Sequence, residues 1–467
     1  MKKYDLIIIG GGAGAFAASN ASNKLKKKTL MINDSKILPL GGTCVNVGCV
    51  PSKIMLHQGH EYYYSTHSKF KAINIKGEIN FVKALKETKK MVEGFREKNY
   101  GNVIQKQKYV DFMEGTGKFI DKNIVEVNGE KFYGNYIIIA TGASTFIPKI
   151  KGIENVPYLT NVNIFDLNKK PKSITIIGGG PQAMEFSQIF NHFGIKVIVL
   201  QRSKILNKMD SIIGEELRKY LEEEGVIIHT KVIFEEIKKT SKGIEIIVSI
   251  NGKKKKINSD LLFLATGLNP HTKDINVDKA GVKLNERNFI KVNNFMQSSE
   301  KNIYAIGDVN GLISLETTAA KEGSVAVLNI FENAKKTINY NEIPSAVFTS
   351  PEVAFVGITE EEYVKKYKTC LCSTIKLEHV EKALAIKDTR GLIRMILNHK
   401  TKQVVGVEII SPMAADIITT AVYTIKNKMT IDDIRDTVHV FPTMSEMIKK
   451  VAQSFNQNLD DMACCVE

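Results

Sequence analysis

The chain lacks the long apolar run a membrane helix requires. Its apolar stretches, such as DLIIIG, YIIIATG, SITIIGGG and LLFLATG, are strand-length and close on glycine, well short of the roughly 20 residues that span a bilayer. Cysteine is scarce, with six in 467 residues, which excludes a disulfide-stapled scaffold and leaves catalysis, metal binding or incident as their use. Negative charge is in the minority: 65 Lys and Arg stand against 50 Asp and Glu, a formal net charge of +15. The excess is mostly lysine scattered among Ile and Asn, which reads as solvated faces and argues against a nucleic-acid patch. The lysine run at residues 253–256 follows Asn-Gly and reads as one flank of a hairpin. A general positive potential still favours small anionic ligands. The opening MKKYDLIIIGGG sets basic residues before an apolar run, but glycines interrupt it and no small-residue cleavage site follows, so a cytoplasmic protein is expected.

What the chain does have is a repeated phosphate-cradling turn. Residues 4–9 form a continuous apolar strand that runs into Gly10-Gly11-Gly12-Ala13-Gly14-Ala15 and then a helical stretch, FAASNASNKL. This is the G-x-G-x-x-A form of the dinucleotide-binding strand, turn and helix. Gly10 makes the tight turn, Gly12 lets a pyrophosphate approach the backbone, and Ala15 keeps helix and strand close. The helix N-terminus supplies unpaired N–H groups and the positive end of its dipole. SITIIGGGPQAMEFSQIF repeats the pattern with Gly178, Gly180 and Ala183, followed by a second strand, KVIVL. Each turn is answered by a later strand, YIIIATGA and LLFLATG, and a further strand, IYAIGD, ends in Asp308.

The chain length exceeds one hydrophobic core, and the two fingerprints divide it. Residues 1–150 are expected to form a first dinucleotide-binding domain, 151–272 a second one inserted into it, and 273–340 a return to the first. Residues 341–467 alternate short strands and helices without a nucleotide fingerprint, which suits a domain for dimerisation or for closing an active site. The expected fold class is α/β, with two Rossmann-like domains and an α+β C-terminal domain.

The chemistry centres on GGTCVNVGCVPSK, residues 41–53. By itself Cys44-x4-Cys49 is equally a metal site or an incidental pair. Its position decides, because it follows the first domain's second strand, KKTLMIN, where a loop crosses a bound cofactor, and Cys49 opens a helix that lowers a thiol's pKa. Lys53, about one helical turn on, adds positive charge.

With GGTCVNVGCVPSK, the two glycine turns, ATGA, ATGLNP, AIGD and PTMSE, essentially the whole chain resembles the pyridine nucleotide disulfide oxidoreductase family, which includes glutathione reductase, dihydrolipoyl dehydrogenase and mercuric reductase. The resemblance implies a homodimeric flavoprotein in which NADPH or NADH reduces FAD and FAD reduces the cysteine pair. It makes Cys49 the thiolate against the flavin and Cys44 the exchanging thiol, with Lys53 beside the flavin ring and Glu185 near the nicotinamide. It sets Gly10, Gly12 and Ala15 on the FAD pyrophosphate, Thr43 and Ala143 along its site, and Asp308 on the ribityl chain. Gly178, Gly180 and Ala183 hold the second nucleotide.

Three departures refine the resemblance. Asn33, followed by Asp34, stands where the family carries a ribose-binding acid, and either side chain can accept the hydrogen bond. After the second turn Gln201 and Arg202 replace the acid of an NAD enzyme, which favours the 2′-phosphate of NADPH. Disulfide reductases of the family place a proton-carrying histidine before the proline of His-Pro-Thr-x-x-Glu; here that residue is Phe441, and His439 lies two residues too early. A soft cation reduced on thiolates needs no such proton, and Hg(II) is the softest candidate. Mercuric reductases resemble the chain here: they carry an aromatic, usually tyrosine, at that position and end in adjacent cysteines, as Cys464 and Cys465 do. Those two residues then bind Hg(II) from thiolate complexes and pass it to Cys44 and Cys49 of the partner subunit. Cys370 and Cys372 match nothing in the family pattern. A disulfide reductase of the thioredoxin reductase, glutathione reductase or dihydrolipoyl dehydrogenase type, and a non-catalytic thiol metal sink, are the alternatives.

Overall fold

The computed structural model describes residues 1–459. Its first sheet is built on four parallel strands in the spatial order Val110–Glu114, Thr29–Asn33, Lys2–Ile9 and Glu130–Ile139. Leu6, Ile7, Ile8 and Ile9 are each 3 % exposed or less, as a strand covered on both faces requires. Burial of each contributes about 1.5–3 kcal/mol. Glu130–Ile139 is long enough for two tasks: its first half pairs antiparallel with Ile124–Val127, and its last three residues pair parallel with Ile303–Ala305. The chain therefore leaves this sheet near residue 140 and returns to it near residue 303.

Between those points lies a second parallel sheet in the order Ile227–His229, Lys196–Leu200, Ser173–Ile177 and Leu261–Leu264. An antiparallel meander, Ile233–Thr240, Gly243–Ile250 and Lys253–Ser259, is attached to it, and the lysine run forms the flank of the expected hairpin. The exit and return segments pair with each other, Ala143–Thr145 against Leu268–Pro270. Residues 345–411 form a five-stranded antiparallel sheet ending in the edge strand Leu371–Lys376, with Ala414–Lys426 and Met447–Gln453 packed on it. The fold class is as expected, α/β with two Rossmann-like units and an α+β unit. One detail differs: the strand IYAIGD stops at Ala305, and Asp308 sits on the helical turn Gly307–Asn310. Among the described residues no helix is long and apolar enough to cross a membrane.

Candidate active site

The two glycine turns are near copies. Gly10 has φ of +131° and Gly178 of +136°, and a side chain at either would meet a carbonyl oxygen at 2.1 Å, that of Ala140 or of Ala265. Only glycine satisfies both demands. The helices Ala13–Lys24 and Pro181–His192 then start after Gly12 and Gly180, neither with a side-chain cap. Their first N–H groups stay open towards one shared cleft of about 2090 Å³ that both turns line, a ready site for two pyrophosphates. Ala15 and Ala183 are fully buried.

Beyond each turn a polar residue at the end of the second strand stands over the middle glycine, Asn33 over Gly11 and Gln201 over Gly179. Asn33 uses its amide nitrogen on its own loop, donating to Ser35 Oγ at 3.2 Å and the Leu38 carbonyl at 3.1 Å. Gln201 donates to Ser203 Oγ at 3.0 Å, and Arg202 beside it is exposed on the cleft wall. The guanidinium of Arg202 has no partner among the described residues, so it is free for an anionic ligand. Asp308 also lines the cleft, and burial pushes its carboxyl up to about 6, against the opposing pull of His271 and Ser314. Open N–H donors, a free guanidinium and an acid able to pair with hydroxyls fit FAD at the first turn and NADPH at the second. Thr43 and Ala143 lie along the same wall.

The thiol pair spans a break between two helices, Gly42–Val47 and Cys49–Thr66. Cys49 is the first residue of the second helix and is exposed to the cleft, whereas Cys44 is partly covered; both are free thiols. Their acidities are driven apart. The neighbouring Cys44 thiol lowers the Cys49 pKa first, and Lys53 lowers it further, against the partial desolvation of the cleft wall. The same contact raises Cys44, helped by burial and by Glu316. Cys44 donates to Glu316 Oε2 at 2.7 Å, and Tyr100 holds the other oxygen at 2.9 Å. The pair thus presents one thiolate and one thiol, the arrangement thiol exchange uses.

Lys53 does not reach solvent freely. Its ammonium grips Glu185 at 2.7 Å and lies over the Phe348 ring, 4.4 Å from its centroid. Glu185 is 5 % exposed and also accepts from the Phe348 N–H at 3.0 Å. A helix of the first unit is therefore tied to the helix of the second turn at the cleft itself. Glu316 also lines the cleft, and its helix is set in place by Gly323, where a side chain would strike the Gly14 carbonyl at 2.3 Å. This close approach draws the helix Glu316–Glu332 against Ala13–Lys24 and sets Glu316 at the thiols.

Glu316 and Tyr100 are the residues sequence reasoning misses. An acidic residue in the first turn of a helix is common, and LETTAAKEG carries no other mark. Phe441 is 46 % exposed, and neither it nor His439, whose pKa burial lowers, lines the cleft of its own chain. Cys464 and Cys465 lie outside the described residues. Cys370 and Cys372 lie away from the cleft.

Residues 4–323 match the family described as pyridine nucleotide-disulphide oxidoreductase, and residues 343–452 match its dimerisation domain. The chain is 35 % identical to a mercuric reductase of Lysinibacillus sphaericus over 464 residues, covering 99 % of this chain and 84 % of that protein. It is 32 % identical to a dihydrolipoyl dehydrogenase of Mycoplasma genitalium, covering 96 % of this chain and 98 % of that one. Among solved structures it is similar to the Cu(II) complex of the HOCl-induced flavoprotein disulfide reductase RclA of Escherichia coli, with a TM-score of 0.86 and 25 % identity, over 97 % of this chain and 100 % of that one.

Proposed function

The chain belongs to the pyridine nucleotide-disulphide oxidoreductase family, whose cofactors FAD and NADPH it uses, and on that footing we propose that it reduces Hg(II) to Hg(0) at Cys44 and Cys49. FAD at the first turn and NADPH at the second supply a two-electron path to the thiols. The rest is the work of this chain's side chains. Arg202, with no acid at Gln201, receives the 2′-phosphate of NADPH. Lys53, its charge balanced by Glu185, keeps Cys49 as a thiolate. Cys44 keeps its proton, hydrogen-bonded to Glu316, and passes it to that carboxylate when a soft cation takes its place. Two thiolates then capture Hg(II) by displacing the ligands it arrives with, and the reduced metal leaves neutral.

The observation that carries this reading is Phe441, which stands where disulfide reductases of the family place a proton-carrying histidine. Cys44 itself donates to Glu316 at 2.7 Å, with the Cys49 sulfur beside it. Disulfide cleavage must protonate a leaving thiolate, whereas neutral mercury departs without a proton. The mercuric reductases similar to this chain support the same substrate. In a homodimer built on the segment matching the dimerisation domain, Cys464 and Cys465 would deliver Hg(II) to the partner's thiols. A cytoplasmic setting suits the free thiols and NADPH.

A second reading, a disulfide reductase, is favoured by Glu316 itself, since a carboxylate 2.7 Å from Cys44 can carry a thiol proton. The deciding experiment is NADPH oxidation by the holoenzyme with Hg(II) thiolate complexes, glutathione disulfide and lipoamide as competing acceptors, repeated with NADH. Mercury reduction with NADPH and feeble turnover of either disulfide supports the proposal. Efficient disulfide turnover without mercury reduction replaces it with the second reading.

A further inference from the structure

Cys370 and Cys372 form a second free thiol pair, partly exposed and apart from the cleft. Cys372 lies on the edge strand Leu371–Lys376 and Cys370 immediately precedes it, so residues two apart turn their sulfurs to one face. The first residue of the helix Glu360–Tyr367 comes over that face. The two sulfurs and a carboxylate oxygen of Glu360 all lie within 4.8 Å of one another, with Glu360 Oε1 3.1 Å from Cys372. Arg394 pairs with Glu360, lies 3.6 Å from Asp210 and reaches Cys372 Sγ at 3.7 Å. The cluster is incompletely satisfied: Nε of Arg394 and Oε2 of Glu408, opposite each other across paired strands, are buried without hydrogen-bond partners.

We propose that this cluster binds a soft divalent cation through the thiolates of Cys370 and Cys372 and the carboxylate of Glu360. Sulfur donors select such cations, and a carboxylate within reach completes a three-donor set. Binding releases the two thiol protons to solvent, the two thiolates balance the charge of the cation, and no electron moves. Glu360 gives up Arg394 in the process. The guanidinium then has Asp210 and the open oxygen of Glu408 to turn to, so no charge is left stranded. The site binds without reducing, because it lies off the cleft that carries the electrons. It does not depend on mercury being the substrate.

The test uses Cd(II), which NADPH does not reduce, on pre-reduced holoenzyme in which Cys44, Cys49, Cys464 and Cys465 are all replaced by serine. The expected result is one equivalent of Cd(II) bound, with an ultraviolet sulfur-to-metal band and two protons released. Adding Cys372→Ser should weaken binding at least about 100-fold, and Glu360→Gln about tenfold. Absence of the band, its survival in Cys372→Ser, or unchanged affinity in Glu360→Gln would overturn the three-donor site. Should the quadruple variant fail to retain FAD, equilibrium dialysis of the natural protein against a Cys370→Ser, Cys372→Ser double variant decides. One fewer Cd(II) in the double variant supports the site, and equal stoichiometry refutes it.

Discussion

Cys44 and Cys49 lie against a carboxylate, Glu316, and near a cation, Lys53; Cys370 and Cys372 lie against a carboxylate, Glu360, and near a cation, Arg394. The parts are alike and the wiring is not. In the first pair the cation is held at 2.7 Å by Glu185, a carboxylate of another helix and not the one that touches the thiols, so its field still lowers Cys49, while Glu316 acts on Cys44. The two thiols are pushed in opposite directions. In the second pair the carboxylate and the cation bind each other as well as Cys372, so their opposite effects fall on the same sulfur and offset. Burial, followed by the neighbouring Cys370, pushes Cys372 up to about 12. A thiol pair becomes reactive when its acid and base partners are kept apart, and becomes a static ligand pair when they are joined.

Serine substitution should break this comparison most visibly. Cys44→Ser or Cys49→Ser should lower NADPH-dependent Hg(II) reduction by about 10³-fold or more, the scale of losing a reacting group. Cys370→Ser with Cys372→Ser should change the same steady-state rate less than about twofold, as expected of side chains far from the reacting atoms. A large loss from the second pair would make it part of the electron path and end the distinction.

Carboxylate neutralisation tests the wiring directly. Cys49 and burial raise Cys44 most, and Glu316 adds to them through its hydrogen bond and its charge, so Glu316→Gln should let Cys44 ionise at lower pH. Its alkylation by iodoacetamide at pH 8 should quicken by about three- to tenfold. Glu360→Gln should leave the alkylation of Cys372 nearly unchanged, because burial and Cys370 raise that thiol. Equal responses at both sites would show that the two carboxylates are wired alike.

Most of the frame and half of the site are legible in the sequence because each signal is local. Gly10 and Gly178 sit in unbroken motifs whose turns admit only glycine, and Cys49 opens its helix soon after the first domain's second strand. Glu316 is not legible for the opposite reason: it comes within 2.7 Å of Cys44 across 272 residues, brought there by the contact of Gly323 with Gly14, which no spacing reveals. The Lys53–Glu185 pair is intermediate, since both residues carry a motif while their contact across two units belongs to the fold. Cys370 and Cys372 look incidental in sequence because Glu360 and Arg394 come from neighbouring elements.

Removing the cations sharpens the comparison through stability. Lys53→Met leaves Glu185, 5 % exposed, without its partner. The cost should be about 2 kcal/mol, below the 3–5 kcal/mol of a fully buried pair, because the Lys53 side chain is 31 % exposed. Denaturant unfolding of the holoenzyme reads this loss. A change within error would mean that the cleft supplies Glu185 with another partner and that Lys53 acts on Cys49 alone.

The smallest effect concerns the acids behind the second pair. One guanidinium, Arg394, faces Asp210, Glu360 and Glu408, which is too little charge for three carboxylates, so one of them keeps its proton. Burial first, and then the hydrogen bond with Asp210, push Glu408 up to about 9 from 4.5. Between those two values the folded protein holds a proton that the unfolded chain has lost. Stability from this group is therefore complete at low pH and falls as pH rises through that window. Glu408→Gln removes the titrating proton but keeps a donor of the same shape. The natural protein should lose more melting temperature than this variant on going from pH 5 to pH 9, by about 2 °C for a chain of this size. No such change is expected from Phe441→Gln, which alters an exposed side chain with no proton to lose. Identical pH profiles for the natural protein and Glu408→Gln would mean that Arg394 satisfies all three acids. The second thiol pair would then sit beside a cation shared among three ionised acids, and the contrast between the pairs would rest on geometry alone.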